Sequence, residues 1–518
     1  MKSFLNTFKL TSTTYKPVIN KDWPVQKVLY LALLGFSAGI PILLIFSTLS
    51  LWLSEAGVSK SAVTYFSWAA LGYSFKFIWA PIVDKLPLPI LSKALGRRRG
   101  WLLLAQCAVI GSILWMSSVD PVMGLSAMAF GAVALGFSSA TQDVVIDAYR
   151  IECAEPKIQA LLSSSYIAGY RIGMVVAGAG GLYLAYLFGS RPDTYIYAAW
   201  QKTYLIMALV MGVGILTTLL IPEPKNEGEI NGKSAYPYST SSYIRFFVLF
   251  LFSVCALIIT YYYFPAITVA ASDYQVLFNF LIGAGQLIIS LMVAILVGFL
   301  GAKYGLADRE MVLENYYQPV MEFFHRYGRL AIWILLLIGF YRVSDIVLGA
   351  ISNVFYQDLG YNKLQIANVT KVFGVIMTIL GSFLGAFLVL RWGVFKVLLL
   401  GAILSALTNI AFIWLSLSST LAEPSIQNLA IVIAIDNLSA GLAVAVFIAW
   451  LSSLTSVSFT ATQYAIFSSL MTLFPKLLGG YSGTMVDSLG YSWFFILTAL
   501  LGIPVVVLIV YLNKRMPQ

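Results

Sequence analysis

The sequence predicts an all-α polytopic membrane protein, with fourteen transmembrane helices arranged as two related six-helix bundles and two helices inserted between them. Three observations predict it. The 518 residues are 60% hydrophobic and only 10% charged, with a mean hydropathy of +0.86, whereas a water-soluble chain carries roughly 25% charged residues. Apolar windows of about twenty residues, enough to cross roughly 30 Å of hydrocarbon, recur along the whole chain. Short matches between the two ends of the chain share one offset, near 304 residues.

The windows fall at 28–53, 61–83, 100–118, 121–145, 160–188 and 203–222, then at 244–271 and 276–300. They resume at 329–352, 365–390, 394–416, 425–451, 461–486 and 491–512. Continuous apolar runs of this length exclude an outer-membrane barrel, whose strands alternate over about ten residues. The first window is too long for a removable signal peptide and has no small-residue cleavage site nearby, so it is read as a retained span. The polar breaks 223–243 and 301–328 read as loops, the second with an amphipathic helix around Leu313–Phe324 on the membrane surface.

The offset is carried by several pairs. Gly35-Phe36 matches Gly339-Phe340, and Gln159 with Ser164-Ser165 matches Gln463 with Ser468-Ser469. Ser54–Lys60 resembles Gln357–Lys363 one residue out of step. The expected organisation is a cytoplasmic segment 1–27, a six-helix bundle 28–222, a loop 223–243, two inserted helices 244–300, a loop 301–328, a second bundle 329–512 and a tail 513–518. Parallel six-helix halves of this kind are the major-facilitator arrangement. With both termini in the cytoplasm, 23 of the 32 basic residues fall on the cytoplasmic side and 4 outside, which is the positive-inside bias. The net charge of +10 therefore reflects topology and anionic lipid, and no nucleic-acid partner is expected.

Cys107, Cys153 and Cys255 are too few and too scattered for a disulfide framework or a metal site, and the single histidine, His325, falls in a loop. No phosphate-binding loop of Walker type is present, which argues against a pump driven by ATP within this polypeptide. No cofactor and no metal are expected, and nothing suggests an enzyme. Asp143 and Asp147 could be offered as a catalytic pair, but no nucleophile, metal set or nucleotide loop accompanies them.

The polar residues within apolar windows are the strongest functional signal, because burying charge in lipid costs several kcal/mol. Asp143 and Asp147 stand one helical turn apart at the end of the fourth window, followed by Arg150. Arg171, Arg342, Asp345, Lys371, Asp436 and Lys476 lie in windows five, nine, ten, twelve and thirteen. The plainer reading is structural pairing, of Arg342 with Asp345 and of Asp147 with Arg150. Between windows two and three, Trp79–Lys85 and Gly96–Trp101 form an acid-plus-basic cluster that reads either as a salt-bridge latch or as plain positive-inside anchoring. Gly169, Gly173, Ala177 and Gly181, Gly381 with Gly385, and Gly479 with Gly483 keep a four-residue spacing suited to close helix packing. Tyr65, Trp68, Tyr166, Tyr170 and Tyr261–Tyr263 could stack on sugar rings, although belts and core packing explain most membrane aromatics.

The stretch Ala140-Thr-Gln-Asp-Val-Val-Ile-Asp-Ala-Tyr-Arg-Ile-Glu152 resembles the signature of AmpG-type muropeptide permeases. The Ala80–Asp84 and Gly96–Trp101 loop is similar to theirs, as are Phe459–Ala465, Ser468-Ser469 and Leu478–Gly480. The resemblance covers essentially the full chain, including the inserted helices. It implies proton symport of anhydro-muropeptides, the GlcNAc-anhydroMurNAc-peptides, across the bacterial inner membrane for peptidoglycan recycling, a cargo tied to β-lactamase induction. Acetyl-coenzyme A transporters of endomembranes have a similar fourth-span motif and remain an alternative, as does another organic-anion facilitator. The Arg97–Arg99 triplet and the tail pattern favour the permease.

On that reading, Gln142, Asp143, Tyr170, Arg171, Arg342 and Lys371 are expected to bind substrate, the cations pairing with its stem-peptide carboxylates. Asp143, Asp147, Asp345 and Asp436 are the candidates to carry the proton, since no membrane histidine exists. Asp84, Lys85, Arg97, Arg98, Arg99, Arg150 and Glu152 are expected to form the gating latch. The muropeptide, protons and the lipid bilayer are the implied partners of a monomer.

Overall fold

The computed structural model describes residues 24–59, 66, 71–191, 194–224, 238–264, 275–421 and 424–516. Tyr65, Trp68, most of the N-terminal segment and the 225–237 part of the first long loop lie outside the described residues. The described chain is helical, and its one β-bridge pairs Arg191 with Thr194.

Twelve helices among the described residues are long and apolar enough to cross a membrane, which is two fewer than the fourteen windows. The second and thirteenth windows are the two without such a helix among the described residues. Residues 61–65 and 67–70 of the second lie outside the described residues, and its described part runs as Leu71–Phe75, Lys76–Ile78 and Ala80–Lys85, with Pro81 in the first turn of the last piece. The thirteenth does form a helix, Thr460–Gly479, which stops at Gly480 and resumes as Ser482–Leu489. Its Thr460, Thr462, Gln463, Ser468 and Ser469 are buried against neighbouring helices, so it carries less apolar surface than a lipid-facing span. The fourth helix, Leu125–Glu152, runs well past its window and takes the whole polar signature into regular helix.

Close packing within each half rests on glycine. Spans one and five press together where Gly35 and Gly39 meet the carbonyls of Tyr166 and Tyr170, and Gly169 and Gly173 meet those of Ala32 and Phe36. No Cβ fits at these positions. Thr48 donates to the Ala177 carbonyl at 3.0 Å further along the same seam. In the second half the tight pair is spans ten and twelve, with Gly381 against the Leu438 carbonyl and Gly441 against that of Thr378. Around Gly483, by contrast, no neighbouring atom comes within 4 Å of where a Cβ would stand, so the glycine spacing in the thirteenth window does not mark a packed seam there.

The halves interlock at one end, where the basic loops lie. Ile151 and Ala160 are buried in the hydrophobic cluster of the second half, and Ala461 and Ala465 in that of the first. The second long loop is helical over Arg309–Val312, Leu313–Tyr317 and Gln318–Tyr327, as the amphipathic pattern predicts. Its apolar side rests on protein: Met311 joins the first-half cluster and Phe323 the second-half cluster. The segment is a strap across the interlocked end, held also by Tyr316 donating to the Ile78 carbonyl at 3.2 Å and Gln463 donating to Glu322 at 2.7 Å.

Candidate functional site

The basic end is built around Asp84, which is 2% exposed. One carboxylate oxygen accepts from Arg98 Nη2 at 2.8 Å and from the Ala461 N–H at 3.0 Å. The other accepts from the Thr462 N–H at 2.6 Å and its hydroxyl at 2.7 Å. Asp84 of the first half thus caps the first turn of helix Thr460–Gly479 in the second, where free N–H groups and the helix dipole favour an anion. Burial pushes this carboxyl up, but Arg98, Arg97 and the bonds from Thr462 and Arg98 outweigh it, and the net direction is down.

Arg98 also grips Glu152 through Nε at 3.0 Å and Nη2 at 2.5 Å, so the third helix is joined to the end of the fourth. Arg97 stands 3.6 Å from the same carboxylate and donates to the Asp84 carbonyl. Arg99 faces the other way: it donates to the carbonyls of Thr218 and Leu219 at 3.0 and 2.7 Å, closing the end of span six. Lys85 crosses to the second half over the Phe459 ring, 5.2 Å from its centroid.

Arg150, fully buried, makes the second crossing. Its Nη1 donates to Ser452 of span twelve at 2.8 Å, and to Ser163 and Gln159 at 3.1 and 3.2 Å. Nη2 donates to Asp147 at 3.3 Å, and the guanidinium lies over the Tyr464 ring. Asp147 also has Lys76 at 3.7 Å. The expected Asp147–Arg150 pairing is therefore present within a three-residue array. A third crossing runs from the Ser164 hydroxyl to the Ser382 carbonyl at 2.6 Å.

Further inside, Asp143 accepts from the Tyr166 hydroxyl at 3.4 Å, and Tyr166 and Tyr170 have their rings 5.9 Å apart. Lys76 lies within electrostatic reach of Asp143 as well as Asp147. Gln142 is fully buried, and neither atom of its side-chain amide has a hydrogen-bond partner among the described residues. Arg171 from the first half and Arg342 from the second are near enough to interact, and Lys476 faces Arg342 too. Arg342 sits where span nine breaks, between Leu330–Phe340 and Val343–Asp358, and its Nε has no partner among the described residues. Arg342 and Asp345 lie within electrostatic reach but form no ion pair. Lys371 is elsewhere. It lies in the π-helical stretch Ala367–Phe373 and lines a cavity of about 340 Å³ with Asn353, Gln357, Ile366 and Ala367.

Charged side chains of the first half thus bond to the second at one end, and cations of both halves approach one another inside. Residues 31–313 match the profile of the Major Facilitator Superfamily. A relative from Rickettsia felis named putative transporter AmpG 4 is 30% identical over 498 residues, covering 96% of this chain and 99% of its own length. The chain belongs to the AmpG-type transporters of that superfamily. The anhydromuropeptide permease of Escherichia coli is 26% identical over 488 residues, covering 94% of this chain and 79% of its own. Among solved structures, the proton:xylose symporter XylE bound to 6-bromo-6-deoxy-D-glucose shares the fold at a TM-score of 0.58, with 13% identity and 95% of each chain covered. The human organic anion transporter MFSD10 shares it at 0.53, with 12% identity over 94% of this chain and 100% of that one. The protein is thus a multi-pass membrane transporter.

Sequence reasoning singled out the acidic and basic residues of the basic end and carried Thr462 and Tyr464 only as members of the Phe459–Ala465 motif, without a role, and it missed Ser452. They are ordinary residues by type. The available signal was the repeat itself, since Gln463 stands beside Thr462 and matches Gln159. Lys76 stands inside the second apolar window, but nothing beside it in the sequence marks its two carboxylates.

Proposed function

We propose that this protein imports anhydro-muropeptides across the bacterial inner membrane by proton symport, for peptidoglycan recycling, with both termini and the latch on the cytoplasmic side. The bundles 28–222 and 329–512 are the moving halves, 244–300 is the insertion, and the loops 223–243 and 301–328 are cytoplasmic. The observation that carries this reading is the approach of Arg171 and Arg342 from opposite halves, with Asp345 within electrostatic reach of Arg342 but not ion-paired to it. Like charges held together in an apolar bundle call for an anionic ligand, and a stem peptide supplies carboxylates that pair with guanidinium in a bidentate fork. Identity with the E. coli anhydromuropeptide permease along nearly the whole chain supports that cargo.

Gln142, Asp143 and Tyr170 line the substrate path, Gln142 with an amide free both to donate and to accept. Lys371, at its separate cavity, is the remaining cation offered to the substrate. Asp143, Asp147, Asp345 and Asp436 are the carboxylates available for the proton. Asp143 is the first to test, because Asp147 is already engaged by Lys76 and Arg150. Asp84, Lys85, Arg97, Arg98, Arg99, Arg150 and Glu152 close the cytoplasmic gate, and no catalytic step is involved. Proteoliposomes loaded with unlabelled anhydro-muropeptide should exchange it for labelled material, and an inward proton gradient should drive accumulation. Arg342→Ala should lose both activities, whereas Asp143→Asn should keep exchange and lose gradient-driven accumulation. Accumulation unchanged in Asp143→Asn ends that residue's coupling role, and absence of exchange by the unaltered protein ends the proposed cargo.

A further inference from the structure

The second half encloses a group of oxygen atoms between spans nine, eleven and twelve. Ser405, Thr408 and Asn409 lie on one stripe of helix Val394–Leu421, at the spacing that puts side chains on a common face. Ser405 lies beside the Asp345 carboxylate of span nine, yet its hydroxyl has no hydrogen bond of sound geometry. Thr408 Oγ1 is 3.4 Å from Asp436 Oδ1 of span twelve. Asn409 is anchored by its amide nitrogen, which donates to Ser344 Oγ at 2.9 Å, while its Oδ1 has no partner among the described residues. Ser344 in turn donates to the Thr498 carbonyl at 2.8 Å.

Ser405 is 5% exposed, Thr408 4% and Asn409 1%. Buried oxygens without partners are uncommon and costly; Asn409 Oδ1 is one, on the residue after Thr408, and Ser405 is set against Asp345, whose carboxylate lies within electrostatic reach of that of Asp436. The charges around the pair do not balance it. Arg342 faces Asp345, and Tyr341, also beside it, already donates to the Leu398 carbonyl at 3.1 Å. Tyr356 faces Asp436. With both carboxylates ionised, two negative charges against the one guanidinium that faces them leave one, surrounded by carboxylate, hydroxyl and amide oxygens. Such donors suit a hard cation, and the charge count suits a monovalent one.

We propose that Asp345, Asp436, Ser405, Thr408 and Asn409 form a binding site for a single sodium ion. The proposal rests on the transporter reading only for its purpose: sodium binding between spans nine, eleven and twelve would bias the second half and add a coupling ion to the cycle. Binding itself requires neither the muropeptide nor a proton gradient, so its failure is separable from failure of that reading. It leaves the proton to Asp143 in the first half.

The test uses the full-length protein purified in detergent, with thermal unfolding followed by tryptophan fluorescence. Sodium chloride is titrated against potassium chloride and choline chloride at constant ionic strength and pH. Sodium is expected to raise the unfolding midpoint in a saturable way that choline does not reproduce, because an ion bound to the folded state stabilises it by mass action. Asp436→Asn and Ser405→Ala should abolish the shift, and Asp487→Asn, an exposed carboxylate, should retain it. Direct binding of radioactive sodium by equilibrium dialysis covers the case in which Asp436→Asn does not fold, with Ser405→Ala as the comparison. A shift equal in all three salts, a sodium shift that survives in Ser405→Ala, or a midpoint that answers to pH and not to sodium overturns the proposal.

Discussion

Asp84→Asn should open the basic end of the protein, and the structure fixes how far. The bond from Arg98 to Asp84 lies within the first half, so it does not hold the halves together. The bonds that do are those from the Ala461 N–H, the Thr462 N–H and the Thr462 hydroxyl. Hydrogen bonds to a charged group contribute about 1.5–3 kcal/mol each. An asparagine whose carbonyl keeps the place bonded to Arg98 and the Ala461 N–H retains one of the three and loses two, so the closed state should lose about 3–6 kcal/mol. At about 1.4 kcal/mol per decade, that is a shift of roughly 100- to 20,000-fold toward the open state.

Spin labels at exposed Lys93 and Arg391, in a background without the native cysteines, would report the separation of the halves by electron–electron double resonance. The unaltered protein should give a short, narrow distance and Asp84→Asn a longer one. An unchanged distribution in Asp84→Asn refutes the capping argument. The pH dependence has a definite sign. The carboxyl is held below its ordinary 3.8 despite burial, so the ionised form is the one that favours closure. Closure contributed by Asp84 is full above that ordinary value and is lost only as the pH falls through the lowered one. The short distance should therefore persist through mildly acidic buffer.

Other substitutions test neighbouring parts of the structure. Glu223 accepts from the Arg98 and Arg99 N–H groups at 2.7 and 3.0 Å, but burial pushes its carboxyl up against those bonds and the nearby arginines. Its ionised form is thus disfavoured on folding, so Glu223→Gln should change the unfolding midpoint little at neutral pH, in contrast to Asp84→Asn. Gly169→Leu forces a side chain into the Ala32 carbonyl and should cost more than the usual 1–3 kcal/mol of overpacking, read as lost folded yield on size-exclusion chromatography. Arg150→Ala strips Asp147, Gln159, Ser163 and Ser452 of a shared donor, and breaking a buried pair typically costs about 3–5 kcal/mol. It should lower the midpoint and also lengthen the Lys93–Arg391 distance, whereas a midpoint close to that of the unaltered protein would place Arg150 outside the crossing.

Much of the architecture was legible because lipid imposes a simple rule on sequence. A run such as Val25–Glu55 has to satisfy its backbone internally, and it reads as a span without knowledge of its neighbours. The rule weakens where a helix faces protein on most sides, as at Thr460–Gly479, and where a lysine such as Lys76 finds carboxylates inside the bundle. The Asp84–Arg98–Glu152 chemistry was visible because acids and bases are conspicuous in such a chain. Its donor end in the second half was not, since backbone N–H groups carry no mark in the sequence and Thr462 resembles many other threonines. Lys371 illustrates the converse limit: helical register put it in the membrane, and only the three-dimensional packing separated it from Arg171 and Arg342.

The helical strap over Arg309–Tyr327 has a mechanical implication. Its anchors, Met311 and Phe323, are set into different halves and lie twelve residues apart, about 18 Å along a helix. A rigid rod fastened at both ends does not stretch, so the halves cannot part by small increments at that end while both anchors stay seated. Opening has to unseat Met311 or Phe323, or bend the rod, and each of these is a discrete event. The strap therefore acts as a leash of fixed length, which favours two well-separated positions over a continuum between them.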